Sequence, residues 1–355
     1  MCIRDSALSQ VNVVILSLPT PMTIQNIPDY SSLKSVAQQL HDFLLPDSLV
    51  IIESTVEPGF VENTLVSIIE GEDKKFESGK NFGIGVCPET ANPGEILKDF
   101  ETLPRLVGGI NQKSSELISS IYSRVFSVDL IPMPDCKTAN AVKLTTNVFR
   151  DVNIAFVNEL ALIFEKLGID IFTVLDAAKR KYNFQVHYPG SGVGGPCLPV
   201  NSYQIINSAR SNSLDLPKLI SISREINEQM PFHTLDLLKD ALNSIGKKLE
   251  NSTIGILGIS YKPNVKDIQL APAEQIISKL QSLGCNVKIF DPHFISSEVF
   301  SIHTEQKYED AITETDATLL LTAHKEFFSI NIDIFNKLMK NPVVVDTRGI
   351  FEISE

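Results

Sequence analysis

The stretch Pro189-Gly190-Ser191-Gly192-Val193-Gly194-Gly195-Pro196-Cys197-Leu198-Pro199-Val200-Asn201-Ser202-Tyr203 puts four glycines in six residues ahead of a cysteine between two prolines. Glycine lets backbone approach a ligand closely and allows positive φ, while proline fixes φ and removes a donor. A thiol at the join of a pliant and a stiff segment is arranged for presentation. The competing reading is an ordinary small buried cysteine in a surface loop. As a nucleophile, Cys197 would add to an aldehyde to give a thiohemiacetal. Hydride loss would make it a thioester, which water would open. That route needs a donor or cation near the oxygen, a positioned water with a carboxylate, and a hydride acceptor. Lys143 and Asn147 share one face of a helix, with Arg150 a turn later, and suit an oxyanion and a hydroxyl or water. The competing reading of that trio is a solvated helix face. Glu89 and Thr55 supply the carboxylate and hydroxyl, or else a loop carboxylate and a helix-capping residue.

The elements that must position these groups follow from the hydrophobic pattern. Short apolar runs at 11–16, 49–52, 82–87, 105–109 and 128–131 read as strands alternating with helices, the mark of a parallel sheet with helices on its faces. The run at 11–16 reads as a buried strand. Pro19, Thr20, Thr55 and Glu89 then fall at the carboxyl ends of strands, where open α/β sheets bind ligands. From 138 to 167 the strand signal disappears. Val142, Thr145, Phe149, Val152, Phe156, Leu160, Ile163 and Leu167 recur at helical steps and predict the apolar face of one long helix, ended by Gly168. Further helices are expected at 171–181, 200–209 and 218–227, and α/β alternation resumes at 253.

The fold class expected is α/β: two Rossmann-like parallel-sheet domains joined by a helical middle domain. The boundaries read as 1–133, 134–232 and 233–355. Acidic residues outnumber basic ones, 43 against 31, with no basic block, which argues against nucleic-acid or anionic-membrane binding. Five scattered cysteines without a C-x-x-C pair suit a reducing cytoplasm and exclude a disulfide framework. The histidines show no metal spacing, and no metal is expected.

Two α/β domains around a helical middle suggest a nucleotide site. The usual strand, G-x-G-x-x-G, helix opening is absent, because the first strand leads into Leu18-Pro19-Thr20-Pro21. Gly190, Gly192 and Gly195 spell the pattern formally, but Cys197 and two prolines follow where a helix should open.

In order, the chain carries Leu18-Pro19-Thr20-Pro21, Glu53-Ser54-Thr55-Val56 with Pro58-Gly59, Cys87-Pro88-Glu89, and Pro104-Arg105-Leu106-Val107-Gly108-Gly109. Lys143 with Asn147, Gly192-Val193-Gly194-Gly195-Pro196-Cys197, Tyr261-Lys262-Pro263-Asn264-Val265, and Asp346 with Arg348 complete the set. The ordered set resembles the UDP-glucose/GDP-mannose dehydrogenase family, the nucleotide-sugar 6-dehydrogenases. The resemblance implies NAD-dependent oxidation of a sugar C6 hydroxyl to a carboxylate, with Cys197 as the thioester-forming nucleophile. It implies Lys143 and Asn147 at the oxyanion, and Glu89, Thr55 and Asn201 at the water. For the cofactor it implies Pro19, Thr20, Thr55, Glu89 and Lys266. For the substrate it implies Lys143, Asn147, Arg150, Gly192, Gly194, Gly195, Lys262 and Arg348. It further implies a homodimer through the long helix and a part in polysaccharide biosynthesis. The 147–160 segment looks most like the branch acting on UDP-N-acetylmannosamine. UDP-N-acetylglucosamine and UDP-glucose are runners-up, as is a non-catalytic UDP-sugar-binding relative.

Three departures carry expectations of their own. Asn201 stands where the family has Asp, and an amide cannot accept a proton at neutral pH. Asn140 and Gln269 replace a Glu and an Arg. The glycine fingerprint is absent, which leads to the expectation that the first βαβ unit of the NAD domain is missing, through N-terminal truncation, and that the chain binds NAD poorly with little activity.

Overall fold

The structure, a computed structural model, describes residues 5–351. It divides into two compact units: residues 1–149 with 200–218, and residues 150–199 with 219–355.

The first unit is built on a five-stranded sheet. Its strands are β1 (Val13–Leu16), β2 (Ser48–Ile52), β3 (Phe82–Val86), β4 (Arg105–Gly109) and β5 (Leu130–Pro132), in that spatial order. Helix α1 (Ser31–Phe43) links β1 to β2 and buries Leu33, Val36, Ala37 and Leu40, the one-sided spacing of an amphipathic crossover. Helix α2 (Gln112–Tyr122) begins at Asn111, whose side chain accepts from the Ser114 amide, and covers the opposite face through Ile118 and Tyr122.

This unit corrects the expectation of a missing first βαβ unit. A β1–α1–β2 unit is present, with β1 and β2 parallel and Val13 opposite Leu49. A glycine turn is a phosphate-binding feature, whereas a βαβ unit needs only two apolar strands and an amphipathic crossover. The absence of the glycines was therefore no measure of the unit. Two smaller corrections go with it. β1 lies at the sheet edge, so Val13 and Ile15 are 42% and 48% exposed while Val14 and Leu16 are buried. β4 runs antiparallel to β3, although a uniformly parallel sheet was expected.

Helix α3 (Cys136–Lys166) contributes to both units, with the boundary at Phe149 and Arg150. Its apolar stripe is largely exposed. Val142, Phe149, Phe156 and Ile163 are 37%, 49%, 47% and 48% exposed, while Asn140, Lys143, Asn147, Asp151 and Asn158 are buried. Periodicity identifies the helix but cannot say which stripe faces inward.

In the second unit, α4 (Ile171–Ala178) starts at Asp170, whose carboxylate accepts from the Phe172 and Thr173 amides. Helix α5 (Leu198–Ser211) spans a second unit boundary, and α6 (Lys218–Ser244), which opens at the third, runs well past the expected end at Asn227. Pro231 lies inside α6. The helix survives the lost hydrogen bond because Leu235, Leu238 and Leu242 beyond it are buried in the second core, each contributing about 1.5–3 kcal/mol. That core packs α6 and α7 (Pro272–Ser282) on a parallel sheet. Its strands are β6 (Thr253–Leu257), β7 (Asn286–Phe290), β8 (Ala317–Leu320) and β9 (Val344–Asp346), with β8 and β7 flanking β6 and β9 beside β8.

Candidate active site

In the first unit, the carboxyl ends of β1 and β2 are tied together by Ser54, whose hydroxyl donates to the Leu18 carbonyl at 2.7 Å and accepts from the Leu18 amide at 2.8 Å. Thr20 and Thr55 meet one step further out. The Thr20 hydroxyl donates to the Thr55 carbonyl at 3.0 Å, and so does the Gln204 side-chain amide of α5, also at 3.0 Å. Gln204 Oε1 accepts from Asn201 Nδ2 at 3.0 Å, and Asn201 Oδ1 accepts from Asn147 Nδ2 at 2.6 Å. Asn147, Asn201 and Gln204 are 9%, 3% and 0% exposed. Three expected site residues, Thr55, Asn147 and Asn201, are therefore joined through a fourth, Gln204, that the sequence reading did not single out. Its only sequence signal is its place one helical turn beyond Asn201.

Lys143, only 7% exposed, lies on the same face of α3 as Asn147, which rules out a solvated face. Glu89 is half-buried and accepts from the Ala91 amide. Pro19 is exposed. This unit also offers polar atoms without a protein partner. Both amide atoms of the fully buried Asn140, one turn before Lys143, have none. Such demand fits a bound polar group better than a sealed core. The residues at the strand ends, Thr20, Thr55 and Glu89, are of the types that would hold a dinucleotide, although the turn after β1 has no glycine.

In the second unit the glycine loop is braced from three sides. Gly195 donates to the Gln269 carbonyl at 2.9 Å, and a Cβ at Gly195 would lie 2.5 Å from the Tyr261 ring. A Cβ at Gly194 would lie 2.4 Å from the Leu270 carbonyl oxygen. The Arg348 guanidinium donates to the Pro189 carbonyl at 3.2 Å and fills the space a side chain at Gly190 would need. Beneath the loop runs a buried polar chain. Gly190 N–H donates to Asn158 Oδ1 at 3.1 Å, Asn158 Nδ2 to Asn227 Oδ1 at 2.9 Å, and Asn227 Nδ2 to Asp151 Oδ1 at 2.8 Å. Arg224 closes it by an ion pair with Asp151 at 2.8 Å. Asp151 and Asn158 entered the sequence reading only within the 147–160 segment, and Arg224 and Asn227 not as site residues, because polar residues on helices read as surface.

Cys197 is half-buried at the end of this loop, whereas Cys87, Cys136 and Cys285 are buried and burial pushes each of those thiols up. Cys2 lies outside the described residues. The Tyr261 phenol is pushed up to about 12 by burial first, with negative charge at Asp267 and Cys197 adding and Arg150 opposing. Tyr261, Cys197 and Arg150 are therefore electrostatic neighbours. Lys262 is half-buried beside Tyr261 in sequence. Lys266 is exposed and stacks over the Phe294 ring, 5.6 Å from its centroid, in the unit that does not hold Thr20, Thr55 and Glu89.

The UDP-glucose/GDP-mannose dehydrogenase family matches in all three of its parts: the NAD binding domain over residues 3–126, the central domain over 137–229 and the UDP binding domain over 255–353. The chain belongs to this family.

It is an NAD-dependent nucleotide-sugar dehydrogenase, an oxidoreductase acting on a UDP-sugar with NAD as its cofactor. It is 32% identical to a UDP-N-acetyl-D-mannosamine dehydrogenase of Pyrococcus horikoshii over 98% of this chain and 80% of that protein. The solved structure of UDP-D-ManNAc dehydrogenase from Pyrococcus horikoshii superposes with a TM-score of 0.90 at 31% identity, covering 99% of this chain and 80% of that one. Native Cap5O of Staphylococcus aureus, a UDP-N-acetyl-mannosamine dehydrogenase, gives 0.82 at 30% identity, with 97% and 78% covered. An NDP-N-acetyl-D-galactosaminuronic acid dehydrogenase of Ralstonia nicotianae is 30% identical over 95% of this chain and 78% of that protein. Among the described residues, no helix is long and apolar enough to cross a membrane, and no cluster of His, Cys, Asp or Glu could hold a metal ion.

Proposed function

We propose that the enzyme oxidises the C6 hydroxyl of UDP-N-acetylmannosamine to the uronate in two oxidations joined by a covalent intermediate on Cys197. The observation that carries this reading is the thiol itself. Cys197 is the partly exposed cysteine of the described set, at the end of a glycine loop held against Tyr261, Gln269 and Arg348. The mannosamine assignment rests on relatives of 30–32% identity that are UDP-N-acetylmannosamine dehydrogenases. NAD supplies the hydride acceptor, taking one hydride in each oxidation.

The chain's own groups do the rest. The Cys197 sulfur adds to the C6 aldehyde, and its proton leaves as the thiohemiacetal forms. Lys143 and Asn147 donate to the oxygen that gains charge as sulfur adds and as water attacks the thioester. Thr55 directs its hydroxyl to the water. Asn201 cannot take the proton, so Glu89 is the acceptor. Thiolate leaves as the carboxylate forms. In sum, one alcohol and one water yield one carboxylate, two reduced cofactors and three protons. Arg150, Gly192, Gly194 and Gly195 contact the sugar side of the substrate, and Lys262 and Arg348 its nucleotide side. Pro19, Thr20 and Lys266 contact the cofactor. The scattered thiols fit a cytoplasmic location.

The test is product stoichiometry with UDP-N-acetylmannosamine, UDP-N-acetylglucosamine and UDP-glucose at saturating NAD. Two NADH per uronate, fastest with the mannosamine substrate, is expected. No NADH from any of the three would retire the reading in favour of a UDP-sugar-binding protein, which calorimetry would detect.

The enzyme acts as a homodimer in this reading. Val142, Phe149, Phe156 and Ile163 recur every seven residues along α3, all exposed, which is the seam of a helix that packs on another helix. A second copy supplies that helix. Phe149→Glu with Phe156→Glu is expected to convert the dimer to monomer in sedimentation without loss of helix signal. A dimer that persists would assign the interface elsewhere.

A further inference from the structure

We propose that Gln204 is a positioning residue that fixes the direction of a buried amide relay, and that this direction requires Asn rather than Asp at 201. The inference rests on the reading that Asn147, Asn201 and Thr55 serve the oxidation. Every donor in the relay points one way. Asn147 Nδ2 gives to Asn201 Oδ1 at 2.6 Å, Asn201 Nδ2 to Gln204 Oε1 at 3.0 Å, and Gln204 Nε2 to the Thr55 carbonyl at 3.0 Å. The far end is fixed, because a backbone carbonyl can only accept. Gln204 must therefore point its NH2 at Thr55 and its oxygen at residue 201, which must donate. An amide donates, and an ionised carboxylate cannot.

An aspartate at 201 would set two acceptors about 3 Å apart between side chains that are 3% and 0% exposed. Turning the Gln204 amide over would only move the clash to the Thr55 carbonyl, leaving the Thr20 hydroxyl as its one side-chain donor. A protonated aspartic acid, in contrast, donates its O–H to Gln204 and accepts from Asn147 with its other oxygen, as asparagine does. The titratable groups around the relay are Tyr30 beside Gln204, Glu57 bonded to Asn207 of α5, and Lys143 on the relay's face of α3. Each is present in wild type and variant alike, so comparison at equal pH cancels them.

The experiment measures kcat of Asn201→Asp, Gln204→Glu and Gln204→Met, each divided by wild-type kcat at the same pH from 6 to 9. At high pH all three are expected to fall roughly 10- to 100-fold, the cost of a buried polar group left unpaired. As pH falls, Asn201→Asp and Gln204→Glu recover toward wild type, since the protonated acid restores the missing donor, while Gln204→Met stays flat. Melting temperature gives a second readout that does not need turnover. Burial raises the folded-state pKa of the new acid above its unfolded value, so its destabilisation grows as pH rises through the folded pKa and shrinks below it. An Asn201→Asp enzyme that matches or exceeds wild type at high pH would overturn the proposal, and so would ratios and melting differences independent of pH. If wild type turns over none of the UDP-sugars, the catalytic reading falls, and the melting series still decides the relay.

Discussion

Cys197→Ser is expected to lose uronate formation by at least about a thousandfold, which at 1.36 kcal/mol per decade is about 4 kcal/mol of transition-state stabilisation. The substitution changes one atom at a half-buried position outside the hydrophobic clusters, so the fold should be untouched. What changes is the chemistry. A serine hydroxyl is a far weaker nucleophile toward an aldehyde than a thiol, and an ester is slower to open than a thioester. Aldehyde-level turnover should persist in trace while the carboxylate disappears. The other described cysteines provide the control. Cys87, Cys136 and Cys285 are buried, and burial raises each thiol, so iodoacetamide should label Cys197 first and inactivate in step with that label. Unchanged uronate production by Cys197→Ser would end the nucleophile assignment.

The contrast between these thiols shows which parts of the site were legible in the sequence. The loop around Cys197 was legible because glycine and proline have only local reasons to cluster so densely. The strand alternation was legible because period and length differ between strands and helices. Burial on α3 was not. The stripe carrying Val142, Phe149, Phe156 and Ile163 reads only as one face of a helix, and those four are exposed while Lys143, Asn147, Asp151 and Asn158 are buried. A helix that buries these polar side chains beside Leu144, Val148 and Val157 and leaves an apolar stripe exposed inverts the usual inference from hydrophobicity. The same inversion hid the chain from Gly190 through Asn158, Asn227 and Asp151 to Arg224, since polar side chains inside a protein announce themselves only through their partners. The β1–α1–β2 unit was misjudged for a different reason. A ligand-binding signature was used as a proxy for a structural unit, and the two have separate physical requirements.

Gly195→Ala is expected to lower kcat/KM by about a hundredfold while leaving both cores intact, because two independent constraints meet at one Cα. Gly195 has φ +87°, a conformation that costs an L-residue about 1–2 kcal/mol. Its missing Cβ would stand 2.5, 2.7 and 2.9 Å from three atoms of the Tyr261 ring, so the ring or the loop must move. Tyr261 is held at its backbone, where its amide donates to the Asp267 carbonyl at 3.1 Å. The loop moves instead, and it carries Cys197 two residues on. Misplacing a reacting group by about 1 Å costs on the order of a hundredfold in rate. The two constraints separate experimentally. Adding Tyr261→Ala to Gly195→Ala removes the steric contact and leaves the backbone cost, so thiol labelling and part of the turnover should return. If Gly195→Ala turns over at the wild-type rate, the loop is not held by Tyr261. The glycines would then serve the approach of the substrate alone, and Gly194→Ala, whose Cβ would lie 2.4 Å from the Leu270 carbonyl oxygen, would have to account for the loop's rigidity.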